Sequence, residues 1–424
     1  MTDKPAGDKP PHANAQPAAT AAAAKIKIGS VAGFLAIIPH LIGFHPSQSM
    51  VVVGLDARHG RIAVAFRYDL PDPPDRARAR EIAVHVIGVL KKRQIRTVIA
   101  AGYGPGTLVT PVAESIRTAA RGARVALRDL LRVEDGRYFS YVCRDPRCCP
   151  PEGVPFDGPA HPAAAAMAAA GLPACPDRAS LAASLAPLTG LEADSMARAT
   201  QRALRRARDL RATSSARPAG PGRSGRPGRS AGPARSGRPA GSREVTNAGR
   251  TAVRDAIATY RRGGQIADHD QMAWLTVCLA DIRVRDDAWA RMDPEYRFAH
   301  RRLWTDVVRH ACEAYVPAPA SLLAFIGWQS GEGALANIAI DRALAADPGY
   351  SMAHLIGQAL DAGLPPSAAR LPMTPEEVEA SYAVTDSLGD PVTGVLGEPG
   401  TGRPAARSKG RSRAGSPPES LTGS

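Results

Sequence analysis

The sequence predicts an α/β domain followed by an all-α domain, with a disordered Arg/Gly/Pro/Ser-rich linker between them. Three observations predict it. Between residues 25 and 158, short apolar runs alternate with stretches of helical periodicity, the pattern of an α/β sheet. Beyond Pro162 the strand signals stop and apolar residues recur at helical spacing. Residues 212–242 hold no acid and almost no large apolar side chain, so they cannot bury enough surface to offset the entropy of ordering. The expected organisation is a disordered tail over 1–24, an α/β domain over 25–158 and a helical connector over 159–211. A disordered basic linker over 212–243, an all-α domain over 244–370 and a mostly disordered tail over 371–424 complete it.

The elements follow in order. Met50–Leu55 (MVVVGL) suits a strand buried on both faces. Arg61–Tyr68 alternates and can pair with it through the turn at Asp56–Gly60. Asp75–Arg93 reads as a helix with Ile82, Val86, Val89 and Leu90 on one side, and Arg96–Ala101 as a buried strand. Thr110 is expected to cap a helix with Pro111 at its first position and Gly122 at its end. Arg124–Val133 and Arg137–Val142 are expected to form a hairpin through Glu134-Asp135-Gly136. An alanine run at Ala163–Ala170 and one helical segment over Ser180–Leu210 come next.

Helices are then expected over Glu244–Tyr260, after a cap at Asp268, and over Phe298–Ala314. Ala320–Trp328 and Ala334–Leu344 are apolar on most faces and should be central. Ala336, Ile340, Ala343 and Pro348 fit the second-helix spacing of a tetratricopeptide repeat, and an ordinary helical hairpin is the alternative.

Composition narrows the function classes. The 424 residues carry a net charge of +14, which taken alone suggests a nucleic acid or acidic partner. Arg198 to Arg243 contributes +12 and Arg403 to Ser424 contributes +4, leaving −2 for the remainder. The basic excess therefore sits in the linker and tail rather than on a folded surface, and the linker reads as a solvated tether, with contact to a nucleic acid or acidic partner as the alternative. No Phe or Tyr interleaves the linker arginines to stack on bases. The longest apolar stretch, Val31 to Phe44, is broken by Pro39 and His40 and is too short for a membrane span. The first residues lack the charged start and apolar core of a secretory signal, and six cysteines make no secreted disulfide framework. A cytoplasmic protein without a membrane partner is expected.

Two stretches are candidate sites. Gly102, Gly104 and Gly106 lie between a predicted strand and helix, where backbone amides cradle phosphate in α/β folds. The spacing is GxGxG rather than GxGxxG, Pro105 removes one donor, and no GKS or GKT follows, so a plain turn is the other reading. Cys143, Cys148 and Cys149 could supply three thiolates to zinc, with His161 or Cys175 as a fourth ligand. A disulfide from Cys143 to Cys148 or Cys149, or structural thiols, are the alternatives. His40, His45, Ser47 and Ser49 cluster before the first strand without a nucleophile elbow or a placed acid, which points to turn chemistry. Asp281, Asp286 and Asp287 read as a capped helix start with ion pairs. Cys278, Cys312 and the four tryptophans read as core.

Three stretches together resemble the domain of unknown function 4192 family of actinobacteria. They are Pro39–Met50 (PHLIGFHPSQSM), Cys143–Pro150 (CRDPRCCP), and Gly331–Ala336 (GEGALA) with Asp347–Ser351 (DPGYS). The resemblance spans roughly residues 28–370, interrupted by the arginine-rich linker, and assigns no catalytic residue. The reading is a binding or regulatory module with a protein partner. The alternatives are an enzyme acting on a phosphorylated or nucleotide-like ligand at Gly102–Gly106, and a nucleic-acid-associated protein.

Overall fold

The computed structural model describes residues 29–56, 60–215, 240–364, 366 and 374–388. Most of the expected linker and both expected tails lie outside the described residues.

The N-terminal part is a mixed six-stranded sheet with helices. Helix α1 (Val31–Ile42) is capped by Ser30, whose Oγ accepts from the Gly33 amide at 3.0 Å. It is the longest apolar stretch of the sequence, and most of its residues are buried. Strands β1 (Ser49–Leu55) and β2 (Ile62–Asp69) pair antiparallel, and α2 (Arg76–Lys92) starts at Asp75, whose carboxylate caps Ala77 and Arg78. Then come β3 (Thr97–Tyr103), α3 (Gly106–Gly122), β4 (Ala126–Glu134), β5 (Arg137–Ser140) and the two-residue β6 (Val154–Pro155). The strand order is β2-β1-β3-β4-β5-β6, and only β3 and β4 run parallel. Between β4 and β5, Asp135 and Gly136 both have positive φ (48° and 69°), the geometry of a tight hairpin turn that suits this dipeptide.

Every residue of β1 is buried, because both faces of the sheet are covered. Met50, Val52, Val98, Ala100 and Leu130 meet α2 and α3 on one face. Val51, Val53, Ala101 and Leu131 alternate with them and are buried on the other, and α1 packs against β2. Full burial of one such side chain is worth about 1.5–3 kcal/mol, so this pair of interfaces dominates the stability of the N-terminal part.

Several boundaries differ from those expected: a helix over Pro375–Leu388 lies in the expected disordered tail, the one expected over Phe298–Ala314 ends at His310, and two further cases have a clear physical reason. Helix α3 begins at Gly106, not after Thr110, and runs through Pro111. Leu108 and Val109 are buried against the sheet together with Val112, Ala113 and Ile116, and only an unbroken helix puts all five on one face. That burial outweighs the single amide hydrogen bond that Pro111 removes. The expected helix over 180–210 is two helices, α5 (Arg178–Ala183) and α6 (Gly190–Ser215). Pro187 and the positive φ of Gly190 (59°) separate them.

The C-terminal part is helical. After α4 (Pro162–Ala169), α5 and α6 come α7 (Ala240–Arg261), α8 (His269–Cys278), α9 (Ile282–Ala290) and α10 (Arg297–His310). The last are α11 (Pro317–Gln329), α12 (Gly333–Ala346), α13 (Ser351–Asp361) and α14 (Pro375–Leu388). Asp268 and Asp281 cap α8 and α9 as the sequence suggests. Helix α11 is buried on nearly all sides and pairs closely with α12, where a Cβ on Gly327 would lie 3.3 Å from that of Ala336. Trp304 is fully buried, Trp274 and Trp328 nearly so, and Trp289 is half-buried. Cys278 is core, while Cys312 is half-buried with its sulfur 3.4 Å from the Thr200 hydroxyl. The two parts touch where Arg93 Nε donates to the Gly363 carbonyl.

Six of the 13 arginines between 198 and 243 lie on α6, which packs against α7 and α8. Arg202 pairs with Asp270 at 2.7 Å, and the Arg206 guanidinium covers the Trp274 ring at 4.2 Å. About half of this basic block is therefore part of the fold. Among the described residues no helix is long and apolar enough to cross a membrane.

Two predictions follow from this packing. A Cβ on Gly102 would stand 2.3 Å from Val109 Cγ1 in the α3–sheet interface, so Gly102→Ala should cost about 1–3 kcal/mol, read as a lower urea midpoint at unchanged slope. A wild-type midpoint would sink the packing argument. His300 is buried, and burial first, then the Arg261 charge, push its pKa down to about 4. The unfolded chain then binds the proton more readily, so stability should fall with pH between about 6.5 and 4, by about 3 kcal/mol at most. His300→Gln should flatten that part of the stability–pH curve.

Candidate metal centre

The C-terminal end of β5 carries the site. Ser140 ends the strand and holds three groups at once. Its hydroxyl donates to Asp129 Oδ1 at 2.8 Å and accepts from the amides of Val142 (3.1 Å) and Cys143 (3.0 Å). The Tyr141 amide still bonds the Leu130 carbonyl at 2.8 Å, and its hydroxyl lies 2.8 Å from Thr110 Oγ1 on α3. Cys143 is therefore presented by a fixed strand end.

The next residues form one tight turn organised by Asp145. Its carboxylate accepts from the Arg147 amide at 2.9 Å, an Asx turn that Pro146 favours by fixing φ. Its carbonyl accepts from the amides of Cys148 (3.0 Å) and Cys149 (2.7 Å). The turn folds these two cysteines back over Cys143, and the three sulfur atoms all lie within 4.8 Å of one another. Past the cysteines the chain returns to the sheet. Gly153, at φ +80°, lies flat against the Phe139 ring, where a Cβ would approach to 2.7 Å, and Arg137 Nη1 donates to its carbonyl at 2.9 Å.

The thiols divide by environment. Cys143 is held below the usual thiol range because its sulfur accepts the Asp145 amide hydrogen and then those of the Cys149 and Cys148 thiols. Cys149 is pushed up to about 12 by burial and by donating to the other two sulfurs. Of the two, Cys143 is the sulfur whose surroundings favour the thiolate. Zinc–sulfur bonds of about 2.3 Å at tetrahedral angles set sulfur atoms about 3.8 Å apart, and the Cys148 and Cys149 sulfurs are 4.0 Å apart. The donor set and its spacing fit a thiophilic divalent ion. All six cysteines are free thiols in this structure.

The expected fourth ligands are elsewhere. His161 Nδ1 caps α4 by accepting from the Ala163 amide at 3.1 Å, and its ring packs against Gly33. Cys175 sits in a β-bridge with Phe44. Neither belongs to the group of three sulfurs. Among the described residues, three sulfurs are therefore the ligands that would hold a metal here.

The glycines of 102–106 do a different job. Val109 occupies the space beside Gly102, and the Arg132 guanidinium lies where a Cβ of Gly106 would be, 2.2 Å away. Gly104, at φ +135°, spends its amide on the Val133 carbonyl at 3.0 Å. The loop lets α3 approach β3, and Arg132, stacked 4.0 Å over Phe139, covers the start of the helix. The serines near β1 make no hydrogen bond to His40 or His45. Ser49 Oγ donates to the Ser47 carbonyl and accepts from Arg67 Nε at 2.7 Å, while His40 Nδ1 lies 2.7 Å from the Leu172 carbonyl.

Residues 32–367 match the family described as a domain of unknown function (DUF4192). No curated protein and no solved structure matches the chain.

In metal-stripped, reduced protein, iodoacetamide near neutral pH should label Cys143 before Cys149, because only the thiolate attacks. Peptide mass spectrometry reads the order; labelling of Cys149 first would contradict the division of these thiols by environment.

Proposed function

We propose that this chain, which belongs to the DUF4192 family, is a binding or regulatory module whose N-terminal sheet carries a zinc site made by Cys143, Cys148 and Cys149. The observation that carries the reading is the convergence of three sulfurs within 4.8 Å through a turn whose hydrogen bonds are made by Asp145 and Ser140. Zinc would replace the thiol protons and fix the excursion between β5 and β6. Ser140 and Asp145 hold the ligands in place, the role of outer groups around a metal. A protein partner would meet the exposed side of α12 at Asn337, Asp341 and Ala345, the helix whose spacing is tetratricopeptide-like, since α11 is buried.

Protein purified under reducing conditions should carry about one zinc per chain by elemental analysis, the content of a single site. Cys148→Ser should lose it and lower the Tm, whereas Cys278→Ser should keep it. Ser140→Ala should weaken zinc about 10–100-fold in a chelator competition, the usual effect of removing an outer hydrogen bond. Native protein without metal that also binds no added zinc would overturn the reading.

A further inference from the structure

A second site lies in the helical part, independent of the zinc reading. A cavity of about 820 Å³ opens between the C-terminal half of α7, the end of α9, the turn at Pro294 and the first residue of α14. Four arginines line it, Arg254, Arg261, Arg262 and Arg291, against one acid, Asp293. Two of the four are already committed. Arg291 makes a two-pronged pair with Asp287, at 2.8 and 3.0 Å, and Glu376 adds to the field around it. Arg261 lies over the Tyr296 ring at 3.4 Å and reaches Asp293 at 3.5 Å.

The other two have no carboxylate partner among the described residues. Arg254 donates only to Thr251 Oγ1 of its own helix, at 3.0 Å, and the Arg262 side chain is exposed. Asp293, the one acid in the lining, already meets Arg261, and its Oδ1 accepts the Glu295 amide at 2.9 Å. Buried Ile257 and Met292 add an apolar floor.

We infer that this cavity binds a small phosphorylated molecule, with Arg254 and Arg262 holding its phosphate groups. The guanidinium fork matches phosphate oxygens in pairs, and the arginines already stacked or paired are set in place before a ligand arrives. The volume is that of a metabolite pocket, and a concave site with an apolar floor favours a compact ligand over an extended polyanion. The ligand chemistry resembles that expected at Gly102–Gly106, but the guanidinium groups that suit it are gathered here.

Isothermal titration of the full chain with inorganic pyrophosphate at physiological salt tests the inference. Saturable binding is expected, weakened tenfold or more in Arg254→Ala/Arg262→Ala, whose side chains carry no packing role that would unfold the protein. Deletion of residues 216–239 should leave the affinity unchanged, and Cys148→Ser should do the same, which separates this site from the zinc reading. Absence of saturable binding, undiminished binding by the double variant, or loss of binding on deleting 216–239 would each overturn it.

Discussion

The burial of β1 on both faces is the constraint on which the rest of the structure depends. A strand reading SMVVVGL has no polar side to give to solvent, so each face of the sheet must be covered. One cover is the α2–α3 pair, and its closeness requires Gly102 to lack a side chain and α3 to stay helical through Pro111. On the other side lies α1, itself an apolar helix with little polar surface to spare. Once these layers are stacked, β4 must run parallel to β3, and the chain leaves the sheet only after the β4–β5 hairpin. The cysteine turn is what the chain does at that exit.

The charge distribution has a similar logic. A net charge of +14 suggests one basic surface, yet the arginines of the folded parts are mostly consumed locally. They stack on Trp274, Tyr296 and Phe139 or pair with Asp270, Asp287 and Asp286. Guanidinium groups are weakly hydrated and tolerate half-burial against rings, so an arginine-rich chain can use them as packing groups. Against that background Arg254 and Arg262 stand apart: they share one concavity, and no carboxylate among the described residues pairs with them.

Much of the fold is legible in the sequence, for reasons that can be named. The strands β1 to β5, helix α2 and the caps at Asp75, Asp268 and Asp281 follow from local patterns, where side-chain periodicity and capping chemistry decide the outcome. The failures lie where packing over distance overrides a local signal, as at Pro111. The sheet's mixed order is not readable either, because nothing local in β1 says that it inserts between β2 and β3. The candidate sites divide the same way. Cys143, Cys148 and Cys149 are visible as residues, but C-x4-C-C is not a standard metal spacing. The signal that could have raised it is Asp145-Pro146, which marks a turn able to fold the pair back. The arginine cavity is invisible in sequence, since Arg254 and Arg291 meet only through the packing of α7 against α9.

The cysteine turn also bears on how the sheet ends. Strand β6 contributes only two residues of pairing to β5, too few to hold an edge by ladder hydrogen bonds alone. Tyr138 packs edge-on against Phe156, and Arg137 ties back to the Gly153 carbonyl, so the return to the sheet is supported from both sides. The intervening ten or so residues carry no apolar core of their own, and Cys148 faces solvent. A loop of that kind is held by whatever joins its middle to its base. Here the base is Cys143, fixed through Ser140 to Asp129 on β4, and the middle is Cys148 and Cys149. A metal linking the three sulfurs would therefore close the loop onto the strand end. The residues that would bind the ion are in that sense the ones that tie the excursion between β5 and β6 back to the sheet.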